Sequence, residues 1–180
     1  MSYAEIPACD VPARHPVAIF RDAWAVLSEG QPIANWRAFD PVDFPNILPW
    51  VLLLRQESKD DPNQLRYTIC GDRCRETFGF SYQNKLFGEG LPADAVAERQ
   101  KEFDRVRAGD GPIYSRTTLP IKTREFIVVF RGVFAFRGDT NLIDRIMVII
   151  APENIALTQR TSAKAVSSLL SSSSKGQAIC

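Results

Sequence analysis

The chain has 180 residues, 45% of them hydrophobic, which is enough to bury one substantial core and short for two domains. Its 22 basic and 21 acidic side chains leave a formal charge of +1, so the broad positive field that holds a phosphate backbone or an anionic membrane surface is missing. The first ten residues contain Glu5 and Asp10 and lack the basic and apolar regions of a secretory leader, and the longest apolar runs, residues 47–54 and 126–136, are too short or too interrupted by Arg131 to cross a bilayer as helices. The expectation is a cytoplasmic protein with no membrane insertion and no nucleic-acid partner.

Taken in chain order, His15-Pro16 opens a run in which Val17, Phe20, Trp24 and Leu27 recur at helical spacing before Gly30. This predicts an amphipathic N-terminal helix whose apolar face needs a partner, either the body of the domain or another subunit. Asp40-Pro41 is a helix opening, because the carboxylate can accept from free backbone N–H groups and proline gives up a donor that had no use. A short helix is expected to residue 47 or 48, and the continuous apolar run at 51–54 then reads as a buried strand. Beyond the polar turn at 58–63, Leu65, Tyr67 and Ile69 alternate with Arg66 and Thr68, a half-buried strand closing at Gly71.

Residues 72–78 suggest a short helix with Asp72 as its cap, followed by a loop through Gly88 and Gly90. Pro92 starts the longest helix, with Val96, Phe103 and Val106 on one face and charged residues opposite, until Gly109-Asp110-Gly111-Pro112 stops it. Three strands follow at 113–121, 125–136 and 142–150, the last reached through the turn Arg137-Gly138-Asp139-Thr140. The reading divides the chain into an N-terminal extension at 1–14, one domain at 15–157, and a Ser-rich tail at 158–180 that is expected to be disordered.

Residues able to do chemistry are few. Cys9, Cys70, Cys74 and Cys180 are expected as free thiols in a reducing compartment, and the Cys70/Cys74 pair lacks a second cysteine or histidine pair to complete a metal site. His15 is the single histidine and reads as a helix-entry residue, leaving no imidazole to serve a nucleophile. Asp40 and Asp43 are explained by helix capping, and Gly88 and Gly90 lack the residues that would make a phosphate loop. No catalytic residue and no metal ligand is assigned.

Phe126, Val128, Phe130, Phe134 and Phe136 share one strand face. With Tyr67, Ile69 and Phe78 they are candidates to wall a hydrophobic ligand pocket, the alternative being a filled core. Arg131 and Arg145 interrupt apolar strands and read either as anion holders or, in preference, as side chains reaching solvent from the outer sheet face.

The order of these elements, helix, short helix, two strands, a helical crossing, a longer helix and three strands, suggests an α+β fold. More specific are Trp24, Gly30-Gln31-Pro32-Ile33, and the stretch Trp36-Arg37-Ala38-Phe39-Asp40-Pro41-Val42-Asp43-Phe44-Pro45-Asn46-Ile47-Leu48-Pro49. To these are added Arg66-Tyr67-Thr68-Ile69-Cys70-Gly71, Gly111-Pro112-Ile113-Tyr114 and Asp139-Thr140-Asn141-Leu142-Ile143-Asp144-Arg145-Ile146. Over roughly residues 17–152 the chain resembles a PAS-like family of short bacterial proteins, within the PAS superfamily.

The resemblance implies a five-stranded antiparallel sheet with helices packed on one face, plus the N-terminal helix. It implies a non-catalytic sensory or regulatory module that binds a small apolar or amphipathic ligand and signals through a homodimer or an unidentified partner protein. Val17, Phe20, Trp24 and Leu27 are the candidate dimer or partner face. Flavin chemistry of the PAS kind is not expected, since Cys74-Arg75 is preceded by Asp72-Arg73 and followed by Glu76. Haem is not expected either, since His15 stands before the first helix. A structural dimerisation or scaffolding domain with a filled core is the alternative, and a small α+β enzyme comes third.

Overall fold

The computed structural model describes residues 3–58, 60–124 and 126–158. Seven strands form one open sheet: β1 (Tyr3–Glu5), β2 (Ala34–Asn35), β3 (Val51–Gln56), β4 (Leu65–Cys70), β5 (Ile113–Thr118), β6 (Val128–Arg137) and β7 (Arg145–Pro152). Three helices accompany them: α1 (Pro16–Leu27), α2 (Asp72–Phe78) and α3 (Ala93–Ala108). The strand order is β1-β5-β6-β7-β3-β4, antiparallel at every pairing along that path. β2 runs parallel to β6 at Phe136 and Arg137, on the stretch of β6 that β5 leaves free beyond Val133.

The fold is α+β, with seven strands where five were expected. The two additional strands are short, three and two residues, and neither has enough alternation to register as a strand in sequence. One consequence concerns the N-terminal extension expected at 1–14. Tyr3–Glu5 adds to the edge of β5, and Val11 is buried in the core, so this segment packs as part of the folded body. The expected helix after Asp40 is instead a series of tight turns, Trp36–Ala38, Pro41–Asp43 and Leu48–Trp50, of which Asp40 caps the second by accepting from the Val42 N–H. Closely spaced prolines at Pro41, Pro45 and Pro49 deny the segment the donors of a continuous helix. Only Thr158 of the Ser-rich tail belongs to the described residues.

Core forms on both faces of the sheet. On one face, α1 lays Val17, Ala18, Phe20 and Trp24 against Phe130, Phe134, Phe136, Met147 and Ile149. Three edge-on or tilted aromatic contacts fasten it there, among them Phe20–Phe134 at 4.9 Å and Trp24–Phe136 at 4.9 Å between ring centres. α1 sits close to β6 because residue 132 is glycine: a Cβ there would stand 2.9 Å from Val17 Cγ1. On the other face, α2 and α3 cover Leu52, Leu54, Val129, Val133, Ile146, Val148 and Ile150 with Cys74, Phe78, Phe103 and Val106.

α1 begins at His15, a buried N-cap. Its Nδ1 accepts from the Val17 N–H at 3.2 Å, and Nε2 lies 3.1 Å from the Pro152 carbonyl oxygen. Those two partners require the neutral imidazole with the proton on Nε2. Burial accordingly pulls the His15 pKa below its usual value.

Candidate ligand site

The site grows from the way β6 distributes its side chains. Alternation turns Phe130, Phe134 and Phe136 toward α1, and Val129, Arg131, Val133 and Ala135 toward α3. Arg131 stands opposite Ser115 on β5 and Ile150 on β7. Above it, α3 presents a buried stripe of Ala95, Arg99, Glu102, Phe103 and Val106, two charged residues within an otherwise apolar helical face.

Glu102 and Arg131 form an ion pair at 2.6 Å with both residues only 2% exposed. The Glu102 carboxylate is fully engaged. One oxygen accepts from Arg131, and the other accepts from Ser115 Oγ at 3.0 Å and from the Tyr3 hydroxyl of β1 at 3.1 Å. Burial, with Glu102 beside it, raises the Tyr3 phenol well above its usual pKa, so it stays a donor to that carboxylate. The edge strand that sequence reading passed over thus supplies a ligand to the central buried charge.

Arg99 is the second cation here and is 8% exposed. Its Nη1 donates to the Ala95 carbonyl at 3.0 Å, one turn back on the same helix. Among the described residues no carboxylate lies within ion-pairing distance of it. Burial, and then the neighbouring Arg131, lower its pKa to about 10, which leaves it charged at neutral pH.

Arg99 and Arg131 line a pocket between sheet and helices together with Tyr67, Phe78, Tyr82 and Phe103. Both phenols lie within the field of Arg99, yet burial dominates and raises their pKa values, that of Tyr82 to about 12, so both are protonated donors. The β5–β6 connection contributes Leu119, Pro120 and Ile121 to one wall. Arg124 in the same connection ties it to the end of α2 by donating to the carbonyls of Glu76 at 3.0 Å and Thr77 at 3.1 Å. Gly79, at φ +83°, ends α2 in the left-handed conformation that brings those carbonyls to the surface. The space left inside is about 30 Å³, room for one or two water molecules and far below that of a typical small-molecule site.

The residues singled out in sequence divide three ways. Tyr67, Phe78 and Arg131 meet in this pocket. Phe130 and Phe134 lie on the opposite face of the sheet, under α1, and Val128 is half-buried at the start of β6. Ile69 and Phe126 are 42% and 80% exposed and line no cavity wall here.

Ile69 is displaced by a bulge. Leu54 faces Tyr67 and Leu53 faces Ile69, so Thr68 is an extra residue, its hydroxyl donating to the Leu53 carbonyl at 3.2 Å, and strict alternation from Tyr67 fails. Phe126 falls before β6 begins, where no pleat directs it inward.

The preference for solvent at Arg131 and Arg145 is corrected. Arg131 is buried against Glu102. Arg145 is nearly buried, pairing with Asp144 at 2.9 Å and lying 5.0 Å over the Trp36 ring. Val17, Phe20 and Trp24 of the candidate partner face are buried on the chain's own sheet, and Leu27 is half-buried beside them.

Sequence reading missed Arg99, Glu102, Tyr82, Ser115 and Tyr3. Residues 95, 99, 102, 103 and 106 fall on one helical stripe, so two charges in a core register were the available signal for Arg99 and Glu102. Among the described residues no cluster of three or more metal-ligating side chains occurs, and no helix is long and apolar enough to cross a membrane. Comparison with protein families and with characterised proteins finds no match.

Proposed function

We propose that the chain is a PAS-like sensory module. It admits a small amphipathic ligand between the sheet and the α2/α3 layer and passes the resulting change to a partner protein or a second copy through α1. The observation that carries this reading is a buried, charged polar site in an otherwise apolar core: Glu102 pairs with Arg131, and Arg99, a second buried cation with no carboxylate at ion-pairing distance among the described residues, lines the same pocket. A domain whose task is only to hold its shape does better with hydrophobic packing at such positions. The five long strands, antiparallel throughout and with α2 and α3 on one face, agree with the arrangement that the PAS resemblance implies.

The groups at the site suit binding and not turnover. Arg99 is a cation, both phenols hold their protons, and Glu102 already accepts three hydrogen bonds, so the site offers donors and no unengaged acceptor side chain. A route outward exists through β6, whose Arg131 faces the pocket while its neighbour Gly132 is the contact point of α1. Opening the pocket is then felt at Val17 and Phe134, a population shift between two packings of α1.

One observation favours the second reading, a scaffolding domain with a filled core: the pocket as it stands has room only for water. Native mass spectrometry of the gently purified protein separates the two. A small molecule released on denaturation supports sensing, whereas an empty chain whose melting temperature no small-molecule library moves supports the scaffold.

A further inference from the structure

Resting on that reading of the pocket, we infer that its ligand is a monoanion, a small carboxylic acid with an apolar or aromatic body, and that Arg99 is the residue that selects it. The charge inventory of the pocket leads to this. Glu102 satisfies Arg131 through a short ion pair and has both oxygens occupied by Arg131, Ser115 and Tyr3. Arg99, more than nine-tenths buried, has one hydrogen bond, to its own helix, and lines the pocket with a guanidinium that carries five N–H donors. A guanidinium so placed carries a desolvation penalty that a carboxylate, accepting two parallel N–H bonds, offsets.

The surroundings fix the rest of the ligand's chemistry. Tyr67 and Tyr82 are protonated phenols that line the same pocket as Arg99 and lie close enough to sense its charge. Phe78, Leu91, Phe103, Leu119 and Val148 supply an apolar lining with no further acceptor for a polar tail. The surplus amounts to a single positive charge, and Glu102 stands near enough to repel a second negative charge, so a dianion such as phosphate is disfavoured. Entry requires the β5–β6 connection to lift, and among the described residues its hydrogen-bonded tie to α2 is Arg124, which belongs to no strand.

The test uses the full chain and two matched series: butyrate, hexanoate and benzoate against butyramide, hexanamide and benzamide, at constant chloride. Affinity is read by titration calorimetry and by melting temperature, in wild type and in Arg99→Met and Arg99→Lys. The expected result is that at least one acid binds roughly tenfold to a hundredfold tighter than its amide. Arg99→Met should erase that preference, and Arg99→Lys should keep part of it.

Acids and amides that bind alike in both wild type and Arg99→Met would overturn the anion assignment and leave the pocket as a site for neutral ligands. Failure of every compound in both series to bind, with melting temperatures unchanged, would overturn the assignment and the sensory reading together. Wild-type discrimination of acid from amide is measured without any variant, so a misfolded Arg99→Met does not blunt the test.

Discussion

Replacing Glu102 by leucine strands Arg131 in a site where the guanidinium is sealed from water, and the effect can be sized from the pair's burial. Both partners are 2% exposed and their closest atoms are 2.6 Å apart. Removing one member of a pair buried to that degree costs about 3–5 kcal/mol, most of it the uncompensated charge left behind. For a chain of this size that is a fall in melting temperature of about 6–20 °C. The companion variant Glu102→Leu/Arg131→Met replaces both charges by apolar groups of similar volume. Its remaining penalty comes from the hydroxyls deprived of their acceptor, chiefly the buried Ser115 and to a lesser degree the part-buried Tyr3, about 1–3 kcal/mol. The double variant should therefore be more stable than Glu102→Leu alone, by about 1–3 kcal/mol. Equilibrium urea unfolding of wild type, both single variants and the double variant closes the cycle. A loss under about 1 kcal/mol for Glu102→Leu, or a double variant as unstable as the sum of the two singles, would refute the account of a tight buried pair.

Other outcomes follow from the same structure. His15 is the single histidine, and its folded pKa lies below the unfolded value of 6.5, so its contribution to stability is complete above pH 6.5. That contribution is lost as pH falls from 6.5 toward the folded pKa, with a slope of at most about 1.4 kcal/mol per pH unit for the one proton. Urea titrations between pH 7.5 and 5.5 should show this slope in wild type, and His15→Asn, which keeps a capping side chain, should flatten it. A Cβ added at Gly71 would meet the backbone carbonyls of Pro49 and Leu48, so Gly71→Ala should cost about 1–3 kcal/mol in the same assay, where an unobstructed glycine would lose almost nothing. Burial raises the Cys74 thiol well above its usual pKa, so iodoacetamide at pH 8 followed by peptide mapping should leave Cys74 unmodified in the folded protein and label it in urea. Arg124→Ala removes the tie between the β5–β6 connection and α2, and faster amide hydrogen exchange at residues 119–124 is expected with little change in global stability.

Much of the fold was readable because its periodicities are strong. α1, α3 and the long strands announce themselves through apolar spacing bounded by Pro16, Gly71, Gly109 and the turn at 137–140. β1 and β2 were not legible, since strands of two or three residues exist only because β5 and β6 offer free edges to pair with. The site was half legible for a related reason. Tyr67, Phe78 and Arg131 are legible as lining residues, but composition alone does not say which face of the sheet each helix covers, so Phe126, Val128, Phe130, Phe134 and Phe136 read as one set with them. Two helical layers on opposite faces split what composition had joined, and the bulge at Thr68 turned Ile69 out of a set to which alternation had assigned it. Arg131 and Arg145 were read as solvent-seeking because a charge in a strand usually is. Their partners, Glu102 from a helix 29 positions earlier in one case and the Trp36 ring in the other, are brought close only by tertiary packing.

On the proposed reading, a small carboxylic acid occupies the space between Tyr67, Arg99 and Arg131. A crystal structure of the protein grown with saturating benzoate tests it most directly. The account predicts density for the carboxylate on Arg99, with the β5–β6 connection shifted outward and Arg124 released from Glu76 and Thr77. An unchanged connection, Arg124 still in place and nothing but water beside Arg99 would contradict it.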